Sequence, residues 1–305
     1  MTMRLVLLAW VAALLGGCSS APTSDDGFTV VATTGMAGDL VRSIGGDSIR
    51  VETLMGPGVD PHLYKATQGD LARLQAADLI VCNGLHLEGK LGEVLDALGE
   101  RRPVVAIADG IDPDRLLSDP ADPAVIDPHI WFDVSLWASA IPHLADTLAA
   151  LHPASAPAIR SNAAAYTDTL RALHDEVGRA IASIPDDHRV LVTAHDAFHY
   201  FGRAYGIEVR GLQGISTLSE FGLRDRIDLV DMLVERQVPA LFTETSVSEK
   251  NIRAIVESCA TEGHTVRLGE PLFSDAMGDP ATSEGTYVGM VRHNVRAITR
   301  ALSAP

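Results

Sequence analysis

Three histidines and one aspartate in this sequence have the settings expected of metal ligands. Two of the histidines close a repeated tripeptide, Asp60-Pro61-His62 and Asp127-Pro128-His129. Proline favours an extended conformation at the residue before it and stiffens the backbone that leads to the histidine. The carboxylate of the tripeptide could hold the second nitrogen of the imidazole, as metal-binding histidines usually require. Either tripeptide alone is a weak signal, since a single histidine in a loop is usually solvated.

The other two candidates, His195 and Asp275, lie in the second half of the chain. His195 comes just after a predicted strand at residues 190–193, with Asp196 in position to cap the next helix, and Asp275 lies in the turn-like segment 273–278. All four candidates therefore follow predicted strands, and in open α/β sheets the carboxyl ends of the strands form the ligand-binding edge. Three imidazoles and one carboxylate that meet in a cleft would make a four-ligand site for zinc or another first-row divalent cation.

Strand-like and helix-like segments alternate from Phe28 onwards, which predicts an α/β fold. Continuous apolar strands that alternate with helices indicate a parallel sheet covered on both faces. The first half contains predicted strands at residues 28–33, 48–54, 79–82 and 104–107, and predicted helices that include residues 36–44 and 134–151. The pattern restarts with predicted strands at residues 190–193, 208–210, 240–243 and 265–268. This repetition predicts two parallel-sheet lobes.

An alanine-rich segment, residues 154–184, separates the two halves. Its apolar residues recur at intervals of three and four, as on one face of a helix: Ile159, Ala163, Tyr166, Leu170, Leu173, Val177 and Ile181. About 30 helical residues would span roughly 45 Å, so one stiff helix could run along both lobes and limit their closure. The alternative is two helices broken near Gly178. We predict lobes at residues 28–152 and 186–305, joined by one long rigid helix at residues 153–185.

The N-terminus has the features of a lipoprotein signal peptide. Arg4 precedes an apolar run at residues 5–15, which is too short for a membrane span of about 20 residues. The run ends in Leu15-Gly16-Gly17-Cys18, which resembles the box at which bacterial lipoproteins are cleaved and lipidated. We therefore predict a signal peptide at residues 1–17, lipidation of Cys18, a tether at residues 18–27 and export of the rest to the periplasmic or extracellular face of a bacterial membrane. The alternative is an ordinary secretory signal with an incidental cysteine.

Four motifs occur in a characteristic order: GPGVDPHLY at residues 56–64, DPHIWFD at 127–133, HDAF at 195–198 and LFSD at 272–275. Together with the segments at residues 84–88 and 211–217, they resemble the zinc- and manganese-binding lipoproteins of bacterial ABC importers, the TroA-like or ZnuA-like family. The resemblance covers nearly the whole chain from about Phe28. It implies two α/β lobes joined by a long helix, one metal ion buried between them, and delivery of that ion to an ABC permease. Carried over motif by motif, it places the metal ligands at His62, His129, His195 and Asp275.

The resemblance leaves the metal open between zinc and manganese. Zinc-specific members often carry a long loop rich in His and Asp, which this sequence lacks, whereas manganese-specific members often have glutamate at the position of His195. Imidazole is the softer ligand, and the divalent affinity order favours zinc over manganese. We rank zinc first, manganese second and iron(II) third. His86 and His199 are weaker candidate ligands, and Glu244 is a candidate helix cap or support for a ligand.

Composition and motifs argue against other classes of function. Asp and Glu number 40 against 24 Lys and Arg, for a formal charge of −16, and such a surface repels phosphate backbones, so we expect no nucleic-acid partner. The sequence has no His-Glu-x-x-His helix, Gly-x-Ser-x-Gly elbow or phosphate loop, and four protein ligands would leave a zinc ion no open position for catalysis. We expect a monomeric binding protein rather than an enzyme. A zinc-dependent hydrolase and a surface adhesin are the alternatives.

Overall fold

The computed structural model describes residues 27–119, 122–218 and 222–303. The predicted signal peptide at residues 1–17, Cys18 and nearly all of the predicted tether lie outside the described residues. In the described ranges, no helix is both long enough and apolar enough to cross a membrane.

The N-terminal lobe is built on a four-stranded parallel sheet. Its strands pair in the order β2-β1-β3-β4, with bounds β1 (Thr29–Ala32), β2 (Arg50–Thr53), β3 (Leu79–Cys82) and β4 (Val104–Ala106). Its helices are α1 (Gly35–Gly45), α2 (Gln68–Ala76), α3 (Lys90–Gly99), α4 (Val134–Ser139) and α5 (Ile141–Leu151). Strands β1 and β3 are apolar on both sides because a hydrophobic cluster covers each face of the sheet.

The C-terminal lobe contains two pairs of parallel strands. Strand β5 (Val190–His195) pairs with β6 (Glu208–Gln213), and β7 (Ala240–Leu241) pairs with β8 (Arg267–Leu268). A backbone hydrogen bond of 2.9 Å from Phe242 to the carbonyl of Val192 brings the two pairs side by side. The helices of this lobe are α7 (His199–Tyr205), α8 (Leu223–Glu235), α9 (Lys250–Thr261) and α10 (Tyr287–Leu302).

A single helix, α6 (Ala156–Ala182), joins the lobes. Its 27 residues span about 40 Å. Its apolar stripe is buried against α1, α4 and α5 of the first lobe and against α7 and α10 of the second. One hydrophobic cluster runs through this helix and into both lobes. The predicted α/β fold with one long connecting helix is confirmed, and the alternative break near Gly178 is wrong.

Three local expectations are wrong. The helix predicted at residues 134–151 is two helices, α4 and α5, because Pro142 lacks an N–H and its ring obstructs the preceding turn. His195 is the last residue of β5 rather than a residue beyond the strand. The carboxylate of Asp196, expected to cap the next helix, instead accepts a hydrogen bond of 2.6 Å from the backbone N–H of Gly211 on β6.

Candidate metal centre

The four candidate ligands meet between the lobes. Nε2 of His62 lies 3.4 Å from Nε2 of His129 and 3.8 Å from Oδ2 of Asp275. Oδ1 of Asp275 lies 3.4 Å from Nε2 of His129, and its Oδ2 lies 3.2 Å from Nε2 of His195. One potential ligand atom from each residue lies within 4.8 Å of the other three, and all four side chains are buried. The fold thus brings together residues that belong to separate halves of the sequence.

The polar atoms at the centre of this group fit a cation. Both carboxylate oxygens of Asp275 and Nε2 of His195 are buried. Among the described residues they lie within ion-pair distance of one another or of His129, but none of them makes a hydrogen bond of good geometry. Burying a polar atom without a partner is unfavourable, so each such atom needs an explanation, and a bound ion is one. Three imidazole nitrogens and a carboxylate form a set that zinc binds in proteins and that also suits other first-row divalent ions.

Asp127 holds the imidazole of His129 in place. Oδ1 of Asp127 lies 2.7 Å from Nδ1 of His129 and accepts its backbone N–H at 2.9 Å. The same tripeptide is fixed by Asn83, which follows β3 and donates a hydrogen bond of 2.9 Å to the carbonyl of Pro128. Because Nδ1 is engaged, Nε2 is left to face the centre of the group. The contact predicted from the second tripeptide is confirmed.

The first tripeptide behaves differently. Oδ1 of Asp60 accepts the backbone N–H of His62 at 2.9 Å, as in the second tripeptide. Its Oδ2, however, accepts a hydrogen bond of 2.7 Å from the hydroxyl of Thr217 in the C-terminal lobe. The expected contact between Asp60 and the imidazole is therefore wrong, because this carboxylate turns towards the opposite lobe.

Glu244 supports the imidazole of His195. It follows β7, and its Oε2 lies 2.6 Å from Nδ1 of His195. Its Oε1 accepts the backbone N–H of the same histidine at 2.9 Å. Glu244 was expected either to cap a helix or to support a ligand. The geometry fits the second role, because its carboxylate lies beside the imidazole nitrogen that faces away from Asp275.

The loop that carries Asp275 is fixed by residues of two other elements. Nε1 of Trp131 donates a hydrogen bond of 3.2 Å to the carbonyl of Ser274 in the opposite lobe. Asn294 on α10 accepts the N–H of Phe273 at 2.9 Å and donates to its carbonyl at 2.7 Å. The sequence analysis missed both contacts. Trp131 lies inside the DPHIWFD motif, but no local pattern shows that its partner is in the other lobe.

Burial and neighbouring charges shift the pKa values of the three imidazoles in different directions. Burial opposes ionisation of Asp275, but the imidazoles of His195 and His129 hold the pKa of this carboxyl well below its ordinary value. Burial also opposes protonation of His129, yet Asp127 and Asp275 raise its pKa to about 9, and Asp275 likewise raises the pKa of the buried His195 well above its ordinary value. For His62 burial prevails and lowers the pKa to about 4. At neutral pH these shifts favour the protonated forms of His129 and His195, so an incoming metal ion must displace one proton from each of the two imidazoles.

The two weaker candidate ligands lie outside the group of four. His199 is the first residue of α7, and its Nδ1 lies 3.4 Å from Oδ2 of Asp127. It therefore contacts the carboxylate that holds His129 rather than the four candidate ligands. His86 lines a separate cavity of the N-terminal lobe, of about 730 Å³, together with Cys82 and Asp109.

Comparisons with known proteins agree with the sequence motifs. Residues 30–301 match the family described as "Zinc-uptake complex component A periplasmic" (ZnuA). The chain is 48% identical over 304 residues to the manganese-binding lipoprotein MntA of Bacillus subtilis (strain 168), covering 98% of each chain. It is 48% identical over 274 residues to the zinc-binding protein TroA of Treponema pallidum (strain Nichols), covering 90% of this chain and 88% of TroA. The solved structure of periplasmic TroA from the same organism matches with a TM-score of 0.87 and 47% identity, covering 90% of this chain and 99% of that one.

The family match spans both lobes and the helix between them, and both relatives align over most of their length. The solved TroA structure shares the arrangement of parallel sheets and long central helix described above. The chain belongs to the ZnuA/TroA family.

Proposed function

We propose that this protein is the metal-capture component of an ABC importer and acts outside the cytoplasm. It binds one divalent transition-metal ion between its lobes through His62, His129, His195 and Asp275, and delivers the ion to a membrane permease. The observation that carries this proposal is the convergence of three imidazoles and one carboxylate, all buried, within 4.8 Å of one another. The family description, a component of a zinc-uptake complex, supports the same role.

Zinc is the metal that the site favours, with manganese second and iron(II) third. The two relatives are named for manganese and for zinc, so the family accommodates both ions. Three of the four ligands in this chain are imidazoles, and nitrogen ligands bind zinc more tightly than manganese. Metal availability outside the cell then decides which ion the protein carries.

The coordination favours binding over catalysis, so we infer that the chain is not an enzyme. A catalytic zinc ion usually has three protein ligands and keeps one position open for water or substrate. Here four buried side chains lie close enough together to hold one ion. A zinc-dependent hydrolase would turn over an ester or peptide when loaded with zinc, and a surface adhesin would bind its receptor equally well without metal.

The remaining features of the proposed carrier follow from the sequence. We infer that residues 1–17 are removed as a signal peptide and that lipidated Cys18, with a tether at residues 18–27, anchors the exported protein to a bacterial membrane. MntA is likewise named a lipoprotein. The mature chain consists of lobes at residues 28–152 and 186–305 and a linking helix at residues 153–185. All four ligands come from one chain, which supports a monomer.

A metal titration tests the proposed function. The purified protein is stripped with a chelator and titrated with zinc and with manganese against a competing indicator. We expect one tight site per chain, with tighter binding of zinc. His129→Ala should abolish tight binding, whereas His264→Ala, at a buried histidine that bonds to the carbonyl of Val238 in the C-terminal lobe, should preserve it. Absence of stoichiometric binding of either metal would refute the proposal, and tighter manganese binding would reverse the order of the metals.

A further inference from the structure

The four candidate ligands are not held equally. Asp127 and Glu244 lie within 2.7 Å of the second imidazole nitrogens of their histidines, and the loop of Asp275 is bonded to Trp131. His62 differs from these three. Among the described residues, no hydrogen bond or ion pair reaches its Nδ1, so its position depends on the backbone of its own loop.

That loop is joined to the opposite lobe through Asp60. One carboxylate oxygen of Asp60 accepts the backbone N–H of His62 at 2.9 Å, and the other accepts the hydroxyl of Thr217 at 2.7 Å. Thr217 lies just after β6, whose last residue, Gln213, is paired with His195 at the end of β5. The hydrogen bond therefore crosses the cleft and ties the loop of His62 to the sheet edge that carries another ligand.

We propose that Thr217 is a positioning residue that slows metal release by holding the loop of His62 against the C-terminal lobe. The inference rests on the proposed function. For the ion to leave, the imidazole of His62 must move away from it, and we infer that this occurs by an outward movement of the whole loop, which breaks the bond between Thr217 and Asp60. A hydrogen bond to a carboxylate is among the stronger kinds in proteins. Without the hydroxyl, the loop opens at a smaller cost in free energy, while the four ligands stay the same.

Substitutions at the two bonded residues give distinct expectations. Thr217→Val keeps the shape of the side chain and removes the donor, so the rate of zinc dissociation should rise about tenfold. Thr217→Ser keeps the hydroxyl and should restore a rate close to that of the unchanged protein. Asp60→Asn weakens the same hydrogen bond by replacing its charged acceptor with a neutral one. In that background, Thr217→Val should add little, because substitutions that act through one shared interaction are not additive.

Stopped-flow measurement of zinc release into an excess of chelator tests the proposal. The matched control is Tyr166→Phe, which removes a hydroxyl on α6 that donates to the carboxylate of Asp39 at 3.3 Å, away from the four ligands. This control should release zinc at the unchanged rate even if the metal-free protein melts at a lower temperature. An unchanged rate for Thr217→Val, equal acceleration by Tyr166→Phe, or no rescue by Thr217→Ser would overturn the proposal. Absence of zinc binding by the unsubstituted protein would instead refute the proposed function, so the two failures are distinguishable.

Discussion

Metal binding at neutral pH should release about two protons per ion. In the metal-free site, burial works against charged imidazoles, but Asp127 and Asp275 raise the pKa of His129 to about 9, and Asp275 raises the pKa of His195 well above its ordinary value. Burial lowers the pKa of His62 to about 4, so this imidazole is already neutral at pH 7. A metal ion binds only the neutral form of an imidazole. His129 and His195 must therefore each lose a proton, whereas His62 loses none.

The proton count sets the pH dependence of the affinity. If two protons compete with the ion, the apparent binding constant should fall about a hundredfold, or about 2.7 kcal/mol, for each unit by which the pH drops between about 5 and 8. Affinity is lost towards acid because each unit of pH decrease raises the concentration of the competing protons tenfold. The loss should already be evident between pH 8 and 7, above the ordinary pKa of histidine of about 6.5, since the pKa values of His129 and His195 are raised.

Calorimetric titration with zinc in buffers of different ionisation enthalpy counts the released protons. After Asp275, Glu244 is the next carboxylate that raises the pKa of His195. Glu244→Gln removes this carboxylate, which lies 2.6 Å from Nδ1 of His195, and should lower the count towards one. His264→Gln is the control, since this buried histidine bonds to the carbonyl of Val238 outside the site and should leave the count unchanged. A count near zero for the unsubstituted protein would refute the assignment of positive charge to the two imidazoles.

Three further substitutions test the supports of the site and the continuity of the central helix. Asp127→Asn weakens the hydrogen bond that holds the imidazole of His129 and should reduce zinc affinity about 10- to 100-fold in a competition titration. Asp39→Asn is the control. This buried aspartate bonds to α6 and α10, away from the ligands, and its substitution should leave zinc affinity unchanged. Trp131→Phe removes the donor to the carbonyl of Ser274 and should lower the free energy of unfolding of the metal-free protein by about 1–3 kcal/mol in a denaturant titration. An unchanged free energy of unfolding would show that this hydrogen bond does not stabilise the fold. Gly178→Ala adds a methyl group that meets no atom closer than 4.0 Å and should raise the free energy of unfolding by about 0.5–1 kcal/mol. Destabilisation there would contradict an unbroken α6.

Local patterns in the sequence were sufficient to predict the main elements of this fold. Apolar strands alternating with helices predicted two parallel-sheet lobes, and the alanine-rich stripe predicted α6, because periodicity within a short window reports which face of an element is buried. The contact between Asp127 and His129 was predictable for a similar reason, since both belong to one stiff tripeptide. The helix predicted at residues 134–151 was wrong because the prediction took no account of Pro142, at which the structure has a break between α4 and α5.

The sequence by itself determined the lobes, the long helix and, through the family motifs, four candidate ligands. Only the tertiary structure decided how those ligands are held. Asp60 and Asp127 occupy the same place in the same tripeptide, yet Asp60 bonds to Thr217 across the cleft, and the support of His195 comes from Glu244 beyond a neighbouring strand. A hydrogen bond forms only between groups that folding brings within about 3 Å. For residues distant in sequence, that separation depends on how both lobes pack along α6, which no local pattern contains.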